Sequence, residues 1–233
     1  MSEKYSYLAI DFLCLAFPLL FSFSRKNNFF KKWKFAAPAI LLPAVLFIAE
    51  DAWFTEMGIW GFNQRYITGI YFFHLPIEEI LFFICIPYAC LFSYESIGLL
   101  SEKDRIGLKI HKPISSTLAV ALLITGVGNV TKWYTSITFL SLAFFFILLR
   151  WVWKAAYMGK FYFAFCFILI PFFAINGILT GTAIVWYNDK ETLGFRLGAI
   201  PVEDIFYGML LILMNVSIFE YAQKKNSISE VSP

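Results

Sequence analysis

Apolar residues fall along the chain in long, nearly unbroken runs, at about 5–23, 35–54, 70–94, 114–130, 133–150, 161–183 and 199–221. A helix that crosses a bilayer needs about 20 mostly apolar residues. The pattern therefore predicts an all-α membrane protein of seven transmembrane helices. The polar residues between the runs sort by sign. The first connection carries Arg25, Lys26, Lys31, Lys32 and Lys34, and the third carries Lys103, Arg105, Lys109 and Lys112. The fifth has Lys154 and Lys160 with Arg150 at its edge, and the tail has Lys224 and Lys225. The even-numbered connections hold only Arg65, then Lys132, then Lys190 and Arg196. Basic residues mark the cytoplasmic side, so the N-terminus is expected outside the cell membrane and the C-terminus in the cytoplasm. The first run has no basic segment ahead of it and reads as a retained helix rather than a cleaved signal.

The pattern also repeats. Tyr7 to Phe17 and Tyr134 to Phe144 share seven identities in eleven. Ile40-Leu41-Leu42-Pro43 echoes Ile168-Leu169-Ile170-Pro171, and Trp60-Gly61-Phe62-Asn63 echoes Trp186-Tyr187-Asn188, one residue shorter. Gly69 matches Gly194, and Glu95 matches Glu220. The order of these matches, at nearly constant offset, predicts two copies of a three-helix unit. The first spans 1–95, a linker with helix 4 spans 96–132, the second copy spans 133–221, and 222–233 form a cytoplasmic tail. One helix between two three-helix units restores their direction, so the repeats are parallel and related by an axis along the membrane normal.

Within this frame two acidic motifs stand out, Pro76-Ile77-Glu78-Glu79 and Pro201-Val202-Glu203-Asp204, 125 residues apart and each at the start of an apolar run. A carboxylate in hydrocarbon costs roughly 3 kcal/mol on insertion scales. Proline suits the first turn of a helix, and acidic residues there meet the positive end of the helix dipole. One reading makes these acids helix caps near the headgroups. The other makes them a proton-handling site, in which paired carboxyls supply an acid beside its conjugate base. Duplication at one depth favours the second. Asp11 in helix 1 has Thr138 as its counterpart and is either part of the site or a polar packing contact. Glu50 and Asp51, late in helix 2, are further ionisable groups at or near membrane depth, or simply mark the membrane edge. Asn63 and Asn188 either hold their loops against the carboxylates or are turn residues. His74 reads as a packing or interface residue, and Arg65 and Lys190 as interfacial anchors.

Composition narrows the chemistry. The 233 residues are 60% hydrophobic and 15% charged, with mean hydropathy +0.70, against about a quarter charged in soluble domains. Aromatic residues make up 20%; a pocket lined by them would stabilise a cation through the ring quadrupoles. Cys14, Cys85, Cys90 and Cys166 lie in apolar runs without metal-ligand spacing and read as small packing residues. Gly126-Val127-Gly128 lacks the third glycine of a dinucleotide loop. No lysine between Gly198 and Gln223 could form a retinal Schiff base, and His74 and His111 are too few for an intramembrane metalloprotease. Adjacent acids also fit poorly with spaced Mg²⁺-binding aspartates. Neither a metal nor another cofactor is expected, nor is nucleic acid as a partner.

Seven helices, two parallel copies and a PxE[E/D] motif in each resemble the membrane-integral lycopene cyclases, known as heterodimeric pairs and as single-chain fusions. The likeness rests on Trp60 to Asn63, Gly69 and Pro76 to Glu79, then Trp186 to Asn188, Gly194 and Pro201 to Asp204, and it covers about residues 5 to 221 of a fused form. The resemblance implies redox-neutral cyclisation of a linear carotenoid's ψ end to a β-ionone ring, an isomerase of the intramolecular-lyase type. Glu78, Glu79, Glu203 and Asp204 would be catalytic, with Asn63, Asn188, Pro76, Pro201 and Asp11 in support. The implied partners are a carotenoid substrate, the bilayer and other enzymes of carotenoid synthesis. The rival readings are a proton-coupled transporter, whose intramembrane acids relay protons, and a structural membrane subunit.

Overall fold

A computed structural model of the chain describes residues 3–100 and 108–231. Lys103 and Arg105 of the third connection lie outside them. The helices are α1 (Ser6–Phe21), α2 (Trp33–Glu56), α3 (Ile77–Leu100), α4 (Leu108–Gly128), α5 (Trp133–Ile147), α6 (Met158–Gly181) and α7 (Val202–Val231). Among the described residues, seven helical segments are long and apolar enough to cross a membrane. Leu13, Leu20, Val45, Ile124 and Ile170 are among the most exposed side chains. In water such a surface would drive aggregation; against lipid it is the matching solvent.

α3 and α7 occupy the centre. α1 packs on α3 as α5 packs on α7, and α2 and α6 each touch both central helices. α4 lies against α5 and reaches α6, outside the symmetric pair. The chain is therefore two parallel three-helix repeats joined by a linker helix.

The runs at 70–94 and 199–221 do not begin as helix. Tyr71–Phe72 (β2) pairs antiparallel with Leu75–Pro76 (β3), as Arg196–Leu197 (β5) pairs with Ile200–Pro201 (β6). The prolines favour this without deciding it, since Pro43, Pro87 and Pro171 are accommodated inside helices. Pro76 and Pro201 bias the preceding residue toward extended backbone, and the positive-φ turns ahead of them complete the hairpins. Both prolines close the hairpins just ahead of the helices rather than sitting within the first turn. Ile77 N–H then donates to Ile70 carbonyl at 2.9 Å, and Val202 N–H to Phe195 carbonyl at 3.0 Å. The turns need positive φ, supplied by Gly198 at 66° in one copy and by Phe73 and His74 at 48° and 67° in the other. His74 is exposed at that turn.

The repeats also share a ribbon. Trp60–Phe62 (β1) pairs antiparallel with Val185–Tyr187 (β4), with Gly61 opposite Trp186. Asn63 N–H extends it by donating to Ile184 carbonyl at 2.9 Å, and Asn188 N–H donates to Ile59 carbonyl at 2.8 Å. Both bonds relate at an offset of 125, so the loop echo contains no deletion. Gly61, not Trp60, is the counterpart of Trp186. The two meet on the pseudo-two-fold axis, where a Cβ on Gly61 would come within 2.4 Å of Trp186 Cζ2. Only one side chain fits there.

The opposite end of the bundle is held by charge. Lys32 pairs with Glu95, and Lys160 lies 3.5 Å from Glu220 and 3.9 Å from Glu95. Tyr94 donates to Glu220 at 2.5 Å and lies beneath the Lys160 ammonium, 3.9 Å from ring centre to Nζ. Lys32 and Lys160 are repeat counterparts, so this cluster obeys the same symmetry.

Candidate active site

Adjacent residues on a helix point about 100° apart, so the two acids of each motif cannot face the same way. Glu79 and Asp204 line one cavity of about 330 Å³ beneath the β1–β4 ribbon. Glu78 and Glu203 turn the other way, fully buried, and hold backbone. Glu78 Oε1 accepts Thr68 N–H at 2.7 Å, and Glu203 Oε1 accepts Leu193 N–H at 2.6 Å. Thr68 and Leu193 are also counterparts. Thr135 Oγ1 adds a second donor to Glu203 at 2.6 Å, where the first repeat has Leu8. The remaining oxygens, Glu78 Oε2 and Glu203 Oε2, are buried without a hydrogen-bond partner.

The cavity-facing acids have different company. Tyr7 donates to Glu79 Oε2 at 2.5 Å, and its counterpart Tyr134 donates to Asp204 Oδ1 at 2.6 Å. Asp204 Oδ2 also receives Tyr187 Oη at 2.9 Å and Asn176 Nδ2 at 3.4 Å. Burial, then the nearby Asp204, pushes the Tyr187 phenol well above its usual range, so Tyr187 stays a donor. Tyr134 and Tyr187 stack with centroids 5.9 Å apart, and Trp60 meets Tyr134 edge-on at 5.0 Å. Tyr207 lies 6.0 Å from Trp60. Aromatic faces thus surround the two carboxyls, in a pocket with few other polar groups.

Asp51 also lines this cavity. It is 2% exposed with Oδ2 unpartnered, and Tyr207 lies beside it. Asp51 therefore does more than mark a membrane edge, because α2 runs on to Glu56 and carries it beneath the ribbon. Glu50, next to it, is half-buried. Asp11 is fully buried with both oxygens unpartnered, one helical turn from Tyr7 and outside the cavity lining. Asn63 and Asn188 do not reach the carboxyls. Each accepts from the backbone two residues on, Arg65 N–H and Lys190 N–H, both at 3.1 Å, so the turn-residue reading holds. Arg65 pairs with Glu3, and Lys190 is exposed.

Tyr7, Tyr134, Asn176, Tyr187 and Asp51 were not singled out from sequence as site residues. Tyr7 and Tyr134 did head the strongest repeat match, which was the available signal. Asn176 and Tyr187 belong to one repeat only, so duplication could not mark them.

The family model described as lycopene cyclase matches residues 4–97 and again residues 131–222, one match to each repeat. No curated protein and no solved structure matches the chain. The family match does not favour the transporter reading. It fits a multi-pass membrane protein whose substrate is a hydrophobic carotenoid. With two copies of the family's unit spanning most of its length, this chain belongs to the lycopene cyclase family.

Proposed function

We propose that the protein is a lycopene β-cyclase in which Glu79 and Asp204 transfer the protons. The observation that supports this most directly is their convergence, from separate repeats, on one aromatic cavity. Glu79 accepts a single donor at Oε2 and serves as the acid. It adds H⁺ to the terminal alkene of the ψ end and leaves a tertiary cation. The internal double bond attacks that cation, forms the ring's new C–C bond and moves the positive charge into the ring. Asp204, with three donors in place, serves as the base and removes a ring proton to set the final double bond. One proton enters and one leaves, so atoms and electrons balance without an oxidant. The aromatic faces around both groups suit the cationic intermediates, and the largely apolar lining disfavours water beside them. Glu78 and Glu203 hold the loops at 68 and 193 and so fix the hairpins that aim their neighbours.

Expression in a lycopene-making bacterium tests this. Red cells should turn orange-yellow, and extracted pigment should carry β rings. Unchanged lycopene alongside well-accumulated protein would overturn the reading.

The site's depth in the membrane follows from orientation. The basic connections support an outside N-terminus, which puts the ribbon and both acidic motifs toward the non-cytoplasmic face. Reporters fused after Asn188 should read non-cytoplasmic and those after Lys225 cytoplasmic. The reverse pattern would sink the orientation.

A further inference from the structure

The repeats are alike in topology, but the two flanks of the α3–α7 pair are not. On the flank where α2 packs, the helices close. Asn215 of α7 donates to the Ala39 carbonyl of α2 at 2.7 Å. Ala36, Ala39 and Ala44 bring the backbones together, and Phe83 of α3 is fully buried, 6.0 Å from Phe47. Small residues of this kind allow close approach of helices in a membrane.

On the flank where α6 packs, only the buried Ala36 keeps its counterpart, Ala164; the other devices are missing. The counterpart of Asn215 is Cys90, which makes no such bond and instead lines the cavity. Ala39 and Ala44 are replaced by Phe167 and Phe172. Phe83 is replaced by Gly208, where an added Cβ would lie 3.3 Å from Phe172. The cavity continues down this flank between α1 and α6, from Glu79 past Ile86 to Cys90 and Ser93. Ser93 is 14 residues beyond Glu79, about 20 Å along the helix at 1.5 Å per residue. Below the carboxyls and the phenols of Tyr7 and Tyr207, the lining side chains from α1, α3 and α7 are apolar or Cys down to Ser93. α1 and α6 are also the two least buried spans, at 17% and 22%, so the flank borders lipid.

We infer that this one flank is the substrate's path, a groove between α1 and α6 that takes the linear polyene from the bilayer with its ψ end under the ribbon. The opposite flank is closed, so the two repeats share one substrate position. The inference rests on the cyclase reading for the identity of the occupant. A long, uncharged, unbranched-in-section hydrocarbon suits a narrow apolar groove that ends at two carboxyls.

Repeat symmetry supplies a matched test. Cys14 lines the groove, and its counterpart Ser141 is exposed on α5, away from it. Cys14→Phe and Gly208→Phe should each lower β-ring formation tenfold or more, normalised to folded protein. Ser141→Phe should stay within twofold of wild type. Lycopene retained by the purified proteins, read from its visible absorbance, should fall in the same two variants. Equal losses in Cys14→Phe and Ser141→Phe, or near-normal conversion in both groove variants, would overturn the one-sided path. If the wild type retains lycopene in a groove-dependent way but forms no ring, the path stands and the cyclase reading falls.

Discussion

Asp204→Asn and Glu79→Gln are each expected to lower cyclisation by roughly 10²-fold or more, the usual scale of a general acid–base contribution. The amides keep the size of the side chain and still accept Tyr134 or Tyr7 through oxygen, so the variants should insert and accumulate normally. Asp204→Asn places its NH₂ toward Tyr187 and Asn176, both donors to the native carboxylate, and so disturbs the pocket more than Glu79→Gln does. The measurement is β-ring formation per folded protein in lycopene-making cells. Near wild-type conversion in both variants would remove the two residues from the chemistry.

The second large effect is on stability. Glu203→Leu strands the Leu193 N–H and the Thr135 hydroxyl in a fully buried site, and Glu78→Leu strands the Thr68 N–H. An unsatisfied buried polar group costs about 1–3 kcal/mol. Both variants should therefore melt earlier in detergent, with Glu203→Leu the worse because it loses two donors. Glu203→Gln keeps an acceptor and should recover most of the stability. The contrast with Asp204→Asn is the informative part, since neighbours in sequence should fail in different ways. If Glu203→Gln melts normally but cyclises as poorly as Asp204→Asn, then Glu203 also moves protons.

Much of the architecture was legible because a membrane leaves few choices. Seven apolar runs read as spans, and matches in one order at nearly constant offset read as copies. The acidic motifs were legible because carboxyls in hydrocarbon are costly. What the sequence concealed was direction. Nothing in Pro-Ile-Glu-Glu says which acid faces inward, because that depends on the angle at which α3 leaves the β2–β3 hairpin. The β2–β3 hairpin was hidden because Ile70 to Phe73 are as apolar as the helix that follows, and only His74 and Pro76 interrupt the run. Asp51 was underread because nothing in the run at 35–54 says that the ribbon folds back over the end of α2 and roofs a cavity there. The loop echo was misaligned because matching two tryptophans looked better than facing one with glycine.

That glycine sets the stoichiometry of the assembly. A strand lying across a two-fold axis is self-complementary, so either half could in principle associate with a second copy of itself. Two first halves would oppose Gly61 to Gly61 and leave a hole in the roof of the pocket. Two second halves would drive two Trp186 rings into the space of one. Only the mixed pair fills the position once. Joining both halves in a single chain guarantees that pairing at every concentration, however few molecules the membrane holds.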